Sequence, residues 1–225
     1  MLKEIYIFKG GKEKGYDSFS RNILELGRQV LSETSPLSLK VTLTTRRPPA
    51  LSVIPFRREK AAVFSMSGRS KPFPATPGGL VLTGSYAVEE AIPVAYEKTW
   101  NDGEPTPGIC LLTLFHQKPG IDRDTFMQRW FKGHTPLSLR LHPLWNYNRN
   151  VVLETLTDGS QWYDGIVEEQ FRTRKELLDP FRFFGPPLKV PRHMMEVWKD
   201  TRSFIDMKRI ETYLATENIL KSPQL

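Results

Sequence analysis

The chain has one cysteine, Cys110, and no run of about eighteen apolar residues. The first scarcity excludes a disulfide framework and fits a reducing, cytoplasmic setting. The second excludes a membrane-crossing helix, and the N-terminus enters a short strand-like segment instead of the apolar stretch of a secretory leader. Cys-x-x-Cys-His is absent, as are His-x-x-x-His and paired Cys/His spacings, so neither covalent haem nor a metal site is expected. Basic residues exceed acidic ones, 32 to 25, for a net charge of +7. They are spread along the chain without any nucleic-acid motif, so a nucleic-acid partner is not expected. The densest group, Arg46, Arg47, Arg57, Arg58 and Lys60, lies in or beside a proline-rich stretch and reads as a solvated loop face.

What is present is an ordinary globular composition, 39% hydrophobic and 25% charged over 225 residues. That length can bury the core of one large domain or of two domains of about 100 residues each. Hydrophobic alternation predicts strands over Glu4–Lys9 and Leu37–Thr45, flanking a helix from Asp17 to about Leu31 with Phe19, Ile23, Leu26 and Val30 on one face. Ala61–Met66 reads as a further strand, and 80–98 as extended structure interrupted near Pro93. The turn-forming cluster 101–108 is the expected linker between halves 1–100 and 109–225. The second half restarts the pattern, with a strand at Ile109–Phe115, a helix from Arg123, and strands at 147–156 and Gly165–Phe171. A short helix at Arg192–Lys199 and a last strand within 207–220 complete it. Strand-helix-strand units repeated in this way predict an α+β fold of two ferredoxin-like modules, their sheet faces packed together as an intrachain pseudo-dimer.

Chemistry concentrates between Gly120 and Ser138. Asp122 is a good N-cap, and Phe126, Trp130 and His134 recur four residues apart on one helical stripe. Pro136 offers no N–H to the carbonyl of Lys132 and disfavours αR at Thr135, so the helix is expected to kink or stop there. His134 then stands at a forced break. Under the offset aligning Phe19 with Phe126, Ile23 answers Trp130 and Gly27 answers His134, so one site is expected and not two. Cys110 sits in an apolar run and reads as a buried, inert thiol.

The string Trp130-x-x-x-His134-x-Pro136-Leu137, followed by Tyr147 and by Tyr163-Asp164-Gly165-Ile166-Val167-Glu168, resembles the EthD family of the dimeric α+β barrel superfamily over about Gly108 to Phe171. The resemblance implies a barrel made from two ferredoxin-like sheets, both supplied by this chain or by a homodimer, the first half being a degenerate structural partner. Some relatives carry a further histidine after the tyrosine, where this chain reads Asn148-Arg149-Asn150. The resemblance further implies a small-molecule protein. The leading expectation is a cofactor-independent lyase or isomerase acting on a small hydrophobic, aromatic or polyketide-like molecule by dehydration, decarboxylation, cyclisation or isomerisation. His134 would be its general acid or base, because histidine ionises near neutrality. Tyr147 and Tyr163 are expected to hydrogen-bond a carbonyl, Asn148 (or Asn146) to orient it, and Trp130 to pack on the substrate ring. Alternation puts Asp164, Ile166 and Glu168 on one strand face and Glu169 on the other, and Glu168 is expected to orient His134. His116, His142 and His193 lack a comparable constellation. The alternatives are a haem protein with His134 as axial ligand and a non-catalytic binding or scaffold protein with a filled barrel.

Overall fold

A computed structural model describes residues 3–11 and 15–223. Strand β1 (Lys3–Gly10) leads into helix α1 (Tyr16–Thr34), and then come β2 (Ser38–Leu43), β3 (Ala61–Ser67) and the long β4 (Leu80–Val94). The chain continues through β5 (Ile109–Phe115), α2 (Arg123–Gln128), a π-helical turn (Arg129–His134), α3 (Thr135–Leu141), β6 (Asn146–Thr155) and β7 (Gly165–Phe171). Helices α4 (Arg174–Leu178), α5 (Pro180–Phe183) and α6 (Val190–Phe204) precede β8 (Glu211–Lys221).

Among the described residues the eight strands form one closed antiparallel barrel in the order β1-β3-β2-β8-β5-β7-β6-β4, with β4 returning to β1. This overturns the expected fold of two ferredoxin-like modules packed sheet face against sheet face. The halves join edge to edge instead: β8 pairs with β2 along Leu39–Leu43, and β4 pairs with β6 from Tyr86 to Val94. The length of β4, 15 residues, lets it serve β1 with its first part and β6 with its second. Such closure leaves no edge unpaired among the described strands, whereas two stacked open sheets would leave four. The turn-rich stretch 101–108 lies along β8, where Thr106 N–H donates to the Glu217 carbonyl at 2.8 Å.

Alternation decides what enters the barrel. Ile5, Ile7, Val63, Val88, Leu112, Leu114, Ile166 and Tyr213 fill one part of the interior. Two charged clusters occupy the other, Lys3 with Glu90, Asn148 and Asn150, and Lys40 with Thr42, Glu168 and Glu217. Outside, α1 lays Phe19, Ile23, Leu26 and Val30 on Phe8, Val41 and Phe64. Gly27 permits that approach, since a Cβ there would meet Leu220 Cδ1 at 2.6 Å. Over the opposite wall, Phe126 and Trp130 meet Phe204 of α6 above Phe115, Tyr147 and Val167. Burying each such aromatic contributes about 2–3 kcal/mol before entropy is counted.

The capping box of α4, in which Thr173 and Glu176 satisfy each other's backbone N–H groups, lies outside the predicted elements. Helix α6 runs from Val190 to Phe204 and so exceeds the short helix expected at Arg192–Lys199. No helix among the described residues is long and apolar enough to cross a membrane.

Candidate active site

Asp122 caps α2 as its position suggests, accepting a hydrogen bond from Thr125 N–H at 2.7 Å. The expected break at Pro136 takes another form. Residues 129–134 widen into a π turn, and α3 continues with Thr135 in αR at φ −60° and ψ −50°. The wider turn absorbs the missing proline donor: Thr135 N–H bonds the Trp130 carbonyl, which also accepts the Thr135 hydroxyl at 3.0 Å. Such π turns often mark functional sites, because the inserted residue redirects the side chains beside it.

His134 is redirected toward α6. Its Nδ1 lies 2.6 Å from Asp200 Oδ2, and its Nε2 lies 3.2 Å from Ser138 Oγ one turn along α3. The carboxylate accepts Nδ1–H and leaves Nε2 as the basic nitrogen, toward which the Ser138 hydroxyl donates. The imidazole is partly exposed, 15%, while Ser138 is buried. A groove of about 430 Å³ lined by Gly133, Pro136, Leu137, Arg140, Glu196 and Asp200 opens beside the pair.

Beneath this helical layer, β6 presents Tyr147 and Arg149, and β7 presents Glu169, directly opposite Tyr147 in the register. Burial pushes the Glu169 carboxyl up to about 7, with the imidazole of His134 acting against the rise. Burial likewise raises the Tyr147 phenol, helped by Glu169, so it stays protonated. The Arg149 guanidinium donates to the Thr135 hydroxyl at 2.6 Å and lies 4.1 Å from the centre of the Phe131 ring.

The sequence candidates separate into four places. His134 and Tyr147 belong to this layer, and Trp130 is packed into its floor, 5.0 Å from Phe115 and 5.6 Å from Phe126 between ring centres. Glu168 and Asn148 point into the barrel. There Glu168 accepts from Lys40 at 2.7 Å and from the Thr42 hydroxyl, and Asn148 donates to Glu90. Lys40 and Lys3 hold the Glu168 carboxyl below its ordinary range despite burial. Tyr163 donates to Glu211 at 2.9 Å in another cluster, with Lys9 and Tyr213. Asp164 holds Arg123 at 2.9 Å and the Gln117 N–H at 2.8 Å.

The carboxylate that orients His134 is therefore Asp200, and Glu168 makes its bonds within the barrel. Asp200 lies 66 residues further along on a separate helix, and no spacing rule reaches it. Ser138 was missed as well: its i+4 spacing from His134 is the signal that points to it, and the expected break at Pro136 hid that relation. The alternation along β7 separated Glu168 from Glu169, but not which of their faces the helices would cover.

The remaining histidines have structural partners or surroundings. His142 stacks on Phe183 at 3.9 Å and donates to its carbonyl, and burial takes the imidazole down to about 4. His193 donates to the Phe184 carbonyl at 2.6 Å. His116 is buried beside Tyr163, and burial lowers its basicity. Burial also holds the Cys110 thiol protonated. Among the described residues, no group of three His, Cys, Asp or Glu side chains is arranged to hold a metal ion.

No family model matches the chain, and no curated protein matches it. Solved structures do. An anthrone oxidase-like protein superimposes with a TM-score of 0.58 at 11% identity, over 97% of this chain and 91% of that one. A protein of Fusobacterium nucleatum subsp. nucleatum ATCC 25586, provisionally named a monooxygenase, gives 0.50 at 13% identity, over 98% and 92%. At such identities the likeness is one of fold, and it extends along nearly the whole of each chain.

Proposed function

We propose that the protein is a cofactor-independent lyase or isomerase that moves a proton on a small hydrophobic ketone, aromatic or polyketide-like, with His134 as the general base. The observation that carries this reading is the 2.6 Å contact between His134 Nδ1 and Asp200, beside the buried carboxyl of Glu169. In this reading a substrate C–H next to a carbonyl takes the place of the Ser138 hydroxyl at Nε2. Nε2 accepts the proton, and Asp200 offsets the imidazolium charge. Glu169, in the protonated form that burial keeps populated at neutrality, donates a hydrogen bond to the carbonyl oxygen as it becomes an enol, as an oxyanion-stabilising acid should. Returning the proton to another carbon completes an isomerisation. Delivering it to a departing β-hydroxyl completes a dehydration. The EthD-like string supplies the imidazole for this chemistry, and the anthrone in one structural relative's name is an enolisable aromatic ketone of the kind it would accept.

The test is deuterium uptake at the acidic C–H of anthrone and 2-tetralone in D2O under nitrogen, followed by proton NMR. The wild-type protein should accelerate exchange, and His134→Gln should lower the rate by about 10²–10⁴-fold. A folded His134→Gln protein exchanging at the wild-type rate refutes the base, and no acceleration by the wild type on any probe refutes the substrate class. An oxygen electrode run beside it in air tells proton transfer alone from oxidation that follows it.

A further inference from the structure

Arg149 carries a charge that its surroundings do not neutralise. Its side chain leaves the outer face of β6, it is 8% exposed, and it enters none of the ion pairs formed among the described residues. One guanidinium N–H donates to the Thr135 hydroxyl, the guanidinium carbon lies over the Phe131 ring, and the Nε–H is buried without a hydrogen-bond partner among the described residues. A hydroxyl and a ring face offset only part of the desolvation of a cation. Glu169, the carboxyl on the neighbouring strand, is pushed up by burial to about 7 and enters none of those ion pairs either. A buried guanidinium with an unused donor is a fork waiting for a planar anion, which it binds through two parallel hydrogen bonds.

We propose that Arg149 anchors an anionic group of the substrate, a carboxylate or a phenolate, on an aromatic skeleton whose reacting carbon lies at His134. The placement follows from the chain: Thr135, which holds the guanidinium, is the residue after His134, and Tyr147 lies two residues before Arg149 on the same strand face. Phe131 supplies aromatic surface beside the guanidinium. The anchor makes the site selective, because a neutral analogue would leave the buried charge unpaired and be refused for that reason. This inference rests on the proposed acid–base site.

Isothermal titration calorimetry with 2-naphthoate, 4-nitro-1-naphtholate and neutral 2-naphthamide tests it. At least one anion should bind the wild-type protein about tenfold or more tightly than the amide, and which one does so distinguishes carboxylate from phenolate recognition. Arg149→Met should erase that advantage while leaving the amide unchanged, and Arg149→Lys should keep only part of it. Equal affinity for anions and amide in the wild type overturns the proposal, whether or not the variants fold. So does an anion preference that persists in folded Arg149→Met. His134→Gln separates the two readings: it should stop deuterium exchange yet retain the anion preference, whereas exchange without anion preference in the wild type refutes the anchor alone.

Discussion

Replacing Glu169 by glutamine should stabilise the protein above neutrality and leave it nearly unchanged in acid. Glu169 is 8% exposed, and its carboxyl is pushed up to about 7 from the ordinary 4.5 because burial disfavours the charged form. With the folded value above the unfolded one, the folded state binds the proton more tightly. The wild type is therefore at full strength below about pH 4.5 and loses stability as the pH rises to about 7, after which the loss is complete. A rise of roughly two and a half pH units at about 1.4 kcal/mol each is about 3 kcal/mol. Glutamine has nearly the same shape and no charge to bury, so the difference between variant and wild type should grow from about zero at pH 4 to about 3 kcal/mol at pH 8. For a chain of this length that is a gain of about 10 °C in Tm at pH 8. Urea unfolding at pH 4, 6 and 8, followed by tryptophan fluorescence, measures it, and titrating groups that do not interact with Glu169 cancel in the comparison. The same substitution should slow exchange of the ketone probes by about 10²-fold, since the amide cannot deliver a proton. A gain equal at pH 4 and pH 8, or no gain at pH 8, refutes the buried acid and with it the role given to Glu169.

Other outcomes follow from the same geometry. Asp200→Asn should keep the fold and lower exchange by about 10²-fold or more, because the amide no longer demands the Nδ1–H tautomer; circular dichroism and the NMR assay check this pair of results. Lys40→Met leaves Glu168, which is fully buried, without its ammonium partner and should cost about 3–5 kcal/mol in urea unfolding at pH 7. Gly165→Ala should lower stability by about 1–3 kcal/mol, because the new Cβ would meet the Phe115 ring at 2.4 Å. Thr173→Ala removes the capping box of α4 and should cost about 1 kcal/mol without touching exchange.

Much of the local structure was legible in the residues themselves. The stripe Phe19, Ile23, Leu26 and Val30 identified α1 and its buried face, and alternation in Ile109–Phe115 and Gly165–Phe171 identified β5 and β7, because side-chain period is a property of the local backbone. Asp122 marked the start of α2 for the same kind of reason, a short-range hydrogen bond to Thr125. Pro136 marked a disturbance but not its form, since a π turn and a broken helix both accommodate the missing N–H, and contacts with α6 accompany the first.

The amino-acid sequence by itself determined most of the strands, the helices α1 and α2 with their apolar faces, and that His134 stands where a proline perturbs a helix, all of it local in origin. Tertiary structure alone decided that the sheet edges join into one barrel, that Glu168 turns inward to Lys40 while Glu169 comes to lie under the helices, and that Asp200 reaches His134 from α6. Those outcomes depend on pairings between residues far apart in the chain, where satisfying strand edges and buried charges is a condition on the whole closed barrel and not on any single segment.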